Sequence, residues 1–202
     1  MNLAISICGF ICYGFSACKP LQSRTETGVN FVMNNTEYRI ETVSYQNKKD
    51  HRILEACLSN WFKDPKTLQF TDPRMRFPFR INNWVNLSYQ QPGIKTYIIK
   101  HERWIIGHLS VKTVMKFMSA HLFHLIIDSP YRRQGHAEKL LIHIENILQE
   151  KGISRITLNA VQNNKPAISL YLKNGYNKSG FTGTGSLKME KSFSNLFHSI
   201  IS

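Results

Sequence analysis

The chain has 202 residues, enough for one domain with a substantial core, and its 42% hydrophobic and 19% charged content excludes a disordered polyelectrolyte. A formal net charge of +13 favours anionic partners. The basic residues are scattered, however, with no run beyond Lys48-Lys49 or Arg132-Arg133, so the surplus reads as solvated surface and no specific nucleic-acid partner is predicted.

Residues 1–35 form an apolar leader. Its stretch 3–17 is about the length of a signal-peptide core and too short for a comfortable membrane span. No Lys or Arg precedes it, which argues for a dispensable leader or a start at Met33. Export or lipid attachment at Cys18 is the alternative reading. Three of the four cysteines, Cys8, Cys12 and Cys18, lie in this leader, so the body retains only Cys57, without a partner for a disulfide or a structural zinc site.

The body, residues 36–192, begins with an alternating strand at 38–43. A helix capped by Asp50 follows to Trp61, its apolar stripe containing Ile53, Leu54, Cys57, Leu58 and Trp61. Cys57 is expected to be a buried thiol. From 62 to 93 prolines interrupt the pattern while aromatics accumulate (Phe70, Phe77, Phe79, Trp84, Tyr89), which suggests an irregular lid or a loop packed on the core. Strands at 96–100 and 104–111 form a hairpin across His101-Glu102-Arg103, with Glu102 solvated, and a strongly apolar strand occupies 121–128. A helix at 135–151 turns Ala137, Leu140, Leu141, Ile144, Ile147 and Leu148 inward and stops at Gly152. A strand at 155–161 and a short helix at 166–173 follow, the helix opening on Pro166 and ended by Gly175. A hairpin at 176–182 and 186–191 closes the domain, and a tail at 193–202 remains. This order makes an α+β (mixed α/β) single domain around one sheet.

The informative stretch runs from His124 to Ala137. An apolar strand enters a short turn that opens directly into an amphipathic helix. Unpaired N–H groups at a helix start, with the positive end of its dipole, bind phosphate well. Gly135 lets backbone approach an oxygen closely, and Arg132 and Arg133 can neutralise further charge. The Walker spacing is absent.

Arg132-x-x-Gly135-x-Ala137 resembles the Arg/Gln-x-x-Gly-x-Gly/Ala signature of the GCN5-related N-acetyltransferases, the GNAT superfamily. Downstream, Asn164-x-x-Ala167-Ile168-x-Leu170-Tyr171-x-x-x-Gly175-Tyr176 is similar to that family's second cofactor motif. The resemblance covers roughly 38–191, and within the superfamily 122–135 resembles the ribosomal-protein N-terminal alanine acetyltransferases. It implies a mostly antiparallel sheet splayed at a cofactor cleft, with acetyl-CoA as acyl donor. It also implies direct transfer in a ternary complex to an amine acceptor, either a protein N-terminus or a small molecule. Cofactor contacts are implied for Leu125, Ile126 and Ile127 on the strand. They are implied also for Arg132, Arg133, Gln134, Gly135, His136 and Ala137 in the turn, and for Asn164 and Tyr171 downstream. Two departures stand out: the turn's proline, Pro130, lies one place late, and the upstream strand lacks the glutamate that many relatives use as a base.

Tyr171 is the expected general acid, its phenol donating to the departing thiolate, and an Ile127 N–H is a plausible oxyanion donor. His124 is the catalytic candidate for the base, with His121 beside it. Three positions apart on a regular strand, these two point to opposite faces, so at most one can face the cleft. A structural role for either histidine, or a water relay, stays open. No His, Cys, Asp and Glu cluster has metal-ligand spacing, so no metal is predicted. A cytoplasmic monomer or homodimer is the expected form. A non-catalytic acyl-CoA-binding module is the rival reading from another class.

Overall fold

The computed structural model describes residues 38–193, so both the leader and all but the first residue of the tail lie outside the described residues. A seven-stranded sheet, ordered β1-β2-β3-β4-β5-β7-β6, runs through the domain. Its strands are β1 (Tyr38–Val43), β2 (Ile94–His101), β3 (Trp104–Val114), β4 (Ser119–Ile127), β5 (Arg155–Ala160), β6 (Asn177–Phe181) and β7 (Leu187–Ser192). All neighbours are antiparallel except β4 and β5. The expected mixed α/β architecture with a mostly antiparallel sheet is what the chain forms.

Period-two alternation splits the strand side chains between two faces. On one face Tyr97, Ile99, Leu109, Leu122 and Ile127 meet Leu140, Leu141, Ile144 and Leu148 of α4 (His136–Glu150), with Ile168 and Leu170 of α5 (Lys165–Lys173) packed beside them. On the other face Ile98, Ile126 and Phe123 meet three helices: α1 (Lys48–Trp61), α2 (Pro65–Thr71) and α3 (Ile81–Ser88). Gly107 leaves room for the Ile127 and Ile99 side chains of the two flanking strands, because a Cβ there would overlap Ile127 Cδ1 and lie 2.8 Å from Ile99 Cγ2.

Three local expectations need correction. The cap of α1 is Asn47, whose side chain accepts from the Lys49 and Asp50 amides at 2.9 and 3.1 Å. That starts the helix two residues before Asp50. The segment 62–93 is not an irregular loop: Asp64 caps α2 and Pro65 occupies its first turn, where a missing N–H is harmless, so that proline starts a helix. Cys57 is half-buried, because it sits at the edge of the α1 stripe rather than at its centre.

Candidate active site

Strands β4 and β5 pair in parallel only from Ser119↔Arg155 to Leu122↔Leu158. Beyond Leu122 they part, and a cleft of about 630 Å³ opens between them, lined among others by Leu125, Ile126, Ile127, Asn164, Ala167 and Tyr171. A register shift against β3 between His108 and Ser110 marks the kink in β4. The Asp128 N–H donates to Ile106 O at 2.9 Å on the β3 side, so backbone alternation turns the Ile127 N–H to the opposite, cleft side.

At the mouth, Ser129–Tyr131 makes one short helical turn, and Arg133 and Gly135 adopt positive φ of 61° and 80° before α4 begins. Gly135 is the α4 N-cap and offers no side chain to the helix. Its glycine character serves the left-handed conformation, and the space a Cβ would enter is open. The first internal bond of α4 runs from Lys139 N to Gly135 O at 3.0 Å, leaving the His136, Ala137 and Glu138 amides without helical acceptors. Arg132 Nε donates to Ile127 O at 2.8 Å, bracing the turn against the strand end. Arg132, Arg133, Gly135, His136 and Ala137 all line the cleft, and Gln134 does not: its amide bonds back to Pro130 O. The His136 ring is buried against Tyr38, centroids 4.6 Å apart, so its contribution to the cleft is its backbone.

Asn164 is the N-cap of α5, its Oδ1 accepting from Ala167 N at 3.4 Å. About two helix turns further along, Tyr171 is 8% exposed, and burial alone pushes its phenol well above the ordinary tyrosine range. It therefore keeps its proton at neutral pH and is held as a donor rather than as a base.

His124 is not in the cleft. Its φ of +56° places the kink at this residue, and the kink slips the alternation by one place. His124 and His121 consequently share a face instead of pointing apart, His121 stacked on Phe123 and His124 edge-on to it. The His124 ring is 5% exposed and both its nitrogens are occupied, by Asp72 Oδ2 at 2.9 Å and Tyr89 OH at 2.8 Å. Burial holds its pKa below the ordinary histidine value despite the Asp72 partner. A buried, doubly bonded imidazole cannot take a proton from an acceptor in the cleft. His121 is half-buried, its Nδ1 2.9 Å from Thr157 Oγ1.

Sequence reading missed one cleft wall, which α2 supplies through Asp64, Lys66, Thr67, Phe70 and Thr71. The dipeptide Asp64-Pro65, a cap followed by a first-turn proline, is the signal that could have found it. It also missed Glu138, an acidic group lining the cleft in the first turn of α4 and compensated by Lys173 at 2.9 Å. Among the described residues no group of three or more His, Cys, Asp or Glu side chains could hold a metal ion, and no helix is long and apolar enough to cross a membrane.

A parted sheet with a bare helix N-terminus at its mouth fits what the comparisons show. Residues 56–176, more than half of the chain, match the Acetyltransferase (GNAT) family, and the chain belongs to that family. Among curated proteins it is similar to the [Ribosomal protein bS18]-alanine N-acetyltransferases of Haemophilus ducreyi (42% identity over 59 residues) and Escherichia coli K12 (36% over 59 residues). Each alignment covers 29% of this chain, and only 41% and 40% of those two proteins. The L-amino acid N-acetyltransferase AaaT of Escherichia coli K12 is 28% identical over 100 residues, 48% of this chain and 62% of that protein. Among solved structures, PaiA N-acetyltransferase from Thermoplasma acidophilum in complex with coenzyme A superposes with a TM-score of 0.60 at 20% identity, covering 78% of this chain and 99% of that one. The GNAT domain of S. lividans PAT gives 0.65 at 14% identity, covering 77% and 90%. At such identities the likeness is one of fold.

Proposed function

We propose that this chain, through a domain at 36–192, transfers an acetyl group from acetyl-CoA to a primary amine within a ternary complex. The observation that carries the reading is the joining of three features in one cleft: an unpaired strand edge at Leu125–Ile127, free amides at the start of α4, and the buried phenol of Tyr171. When bound, acetyl-CoA supplies an activated thioester. The chain's own residues do the rest. The Arg133, Gly135, His136 and Ala137 amides, with the Arg132 and Arg133 side chains, hold the diphosphate. The β4 edge and Asn164 align the arm, the Ile127 N–H polarises the carbonyl, and Tyr171 protonates the leaving sulfur. The amine attacks in its neutral form and its surplus proton leaves to water at the cleft mouth; His124, buried away from the cleft, has no part in that removal.

A protein N-terminus beginning with alanine is the acceptor we favour, on the similarity to the two bS18-alanine enzymes. The similarity to AaaT supports free amino acids as the alternative. Labelled acetyl-CoA offered to alanine-starting peptides and to free amino acids decides between them, since transfer only to the latter overturns the protein-acceptor reading. Tyr171→Phe is expected to lower turnover by about a hundredfold or more while CoA affinity is kept. A parent protein that binds CoA yet acetylates neither class would be a binding module.

A further inference from the structure

Asp72, the C-cap of α2, is 3% exposed and receives four donors. Its Oδ1 accepts from the Arg74 backbone N–H at 3.0 Å and from Arg74 Nε at 2.9 Å. Its Oδ2 accepts from Arg74 Nη2 at 2.7 Å and from His124 Nε2 at 2.9 Å. An ionised carboxylate accepts only, so His124 carries its proton on Nε2 and its Nδ1 accepts from the Tyr89 hydroxyl. That hydroxyl lies 2.9 Å from Ser110 Oγ, itself 3.0 Å from Thr96 Oγ1, so one direction of donation, from Thr96 through Ser110 and Tyr89 to His124 and Asp72, satisfies the whole chain. The Trp84 ring stacks on His124 at 3.8 Å.

Three side chains of the 62–93 segment thus converge on one residue of β4. Among the described residues, four non-glycine positions have positive φ: Glu102 and Met118 lie in turns between strands, Arg133 lies in the phosphate-facing turn, and His124 alone lies inside a strand. It immediately precedes Leu125, which lines the cleft, just as Thr71 of the opposite wall immediately precedes Asp72. Each end of the Asp72–His124 bond is therefore one residue from a wall of the cleft.

We propose that Asp72 is a positioning residue for acetyl transfer: through His124 it clasps the α2 wall to the kinked end of β4 and so sets the gap in which the cofactor arm lies. The inference rests on the acetyltransferase reading and adds residues that touch neither cofactor nor acceptor. The phosphate-facing turn at 129–135 contains none of the clasp, so the two halves of coenzyme A should respond differently to its loss.

The test compares the parent, Asp72→Asn and Tyr89→Phe, titrating each with intact coenzyme A and with its phosphorylated adenosine-diphosphate half, alongside acetyl transfer and melting temperature. Asp72→Asn should weaken coenzyme A about tenfold, leave the nucleotide half within about twofold, and lower kcat/KM by about a hundredfold. Tyr89→Phe removes a single donor to His124 and should shift coenzyme A alone by about threefold. If Asp72→Asn does not fold, Tyr89→Phe decides by itself. A lower melting temperature with parental affinity for both ligands, or equal losses for both, overturns the clasp. A parent that binds neither ligand overturns the acetyltransferase reading and the clasp with it.

Discussion

The two faces of the sheet are built on different physics. The face under α4 and α5 is mostly apolar: Leu140, Leu141, Ile144 and Ile156 are fully buried, and the buried polar side chains of α4 are His136 and Glu145. The face under α1–α3 buries Asp72, Thr96, His108, Ser110 and His124 together with Tyr45, Tyr89 and Trp84. There each polar atom has a partner: His108 Nδ1 donates to His124 O at 3.0 Å, His108 Nε2 accepts from Tyr45 OH at 3.0 Å, and Trp84 Nε1 donates to that hydroxyl at 2.8 Å. An apolar core tolerates small shifts at a gradual cost, whereas a satisfied polar network holds one geometry and loses much when any member is missing. The cleft lies where these two faces meet. Its mouth at the start of α4 rests on the first and its α2 wall on the second.

Substitutions can separate the two. On the apolar face, Leu141→Ala should cost about 3 kcal/mol in chemical denaturation, independent of pH, through lost burial and a cavity. The polar face should instead respond to acid. Burial lowers the His108 pKa from 6.5 to about 3, so below pH 6.5 the unfolded chain takes up a proton that folded His108 refuses. Stability from this residue is complete above pH 6.5 and falls by about 1.4 kcal/mol per pH unit towards pH 3. Denaturation midpoints at stepped pH measure the slope, and His108→Gln should remove that share of it. An unchanged slope in the variant means that His108 is not buried neutral. The smallest effect is expected for Ser110→Ala, about 1 kcal/mol, because Tyr89 and Thr96 lose one shared partner. A cost near zero would show that the network is less closed than its distances imply.

The same contrast explains what could be read from the sequence. Helix α4 and its turn were legible because helical periodicity, a left-handed glycine and adjacent arginines are all local signals. Asn164 and Tyr171 followed from a second local motif. The α2 wall was hidden because Pro65, taken as a break, is a first-turn residue whose meaning depends on Asp64 before it. His124 was misplaced for a deeper reason. Alternation along an isolated strand puts it opposite His121, and only the register shift against β3, set by pairing across more than a dozen residues of chain, brings the two rings to one side. Asp72, 52 residues from His124 in sequence, leaves no local mark of its partner.

The end of pairing at Leu122↔Leu158 has a consequence for self-association. A bare strand edge ordinarily invites a neighbouring molecule to add a strand, the first step of aggregation. Here the bare edge lies in a notch flanked by α2 and α5, whose side chains would collide with an incoming strand carrying groups above and below its plane. A pantetheine arm, with two amides and branches only at the pantoate unit near its phosphate end, is narrower than such a strand. On the proposed reading the notch screens by cross-section, admitting a coenzyme tail and turning away another polypeptide's β-strand.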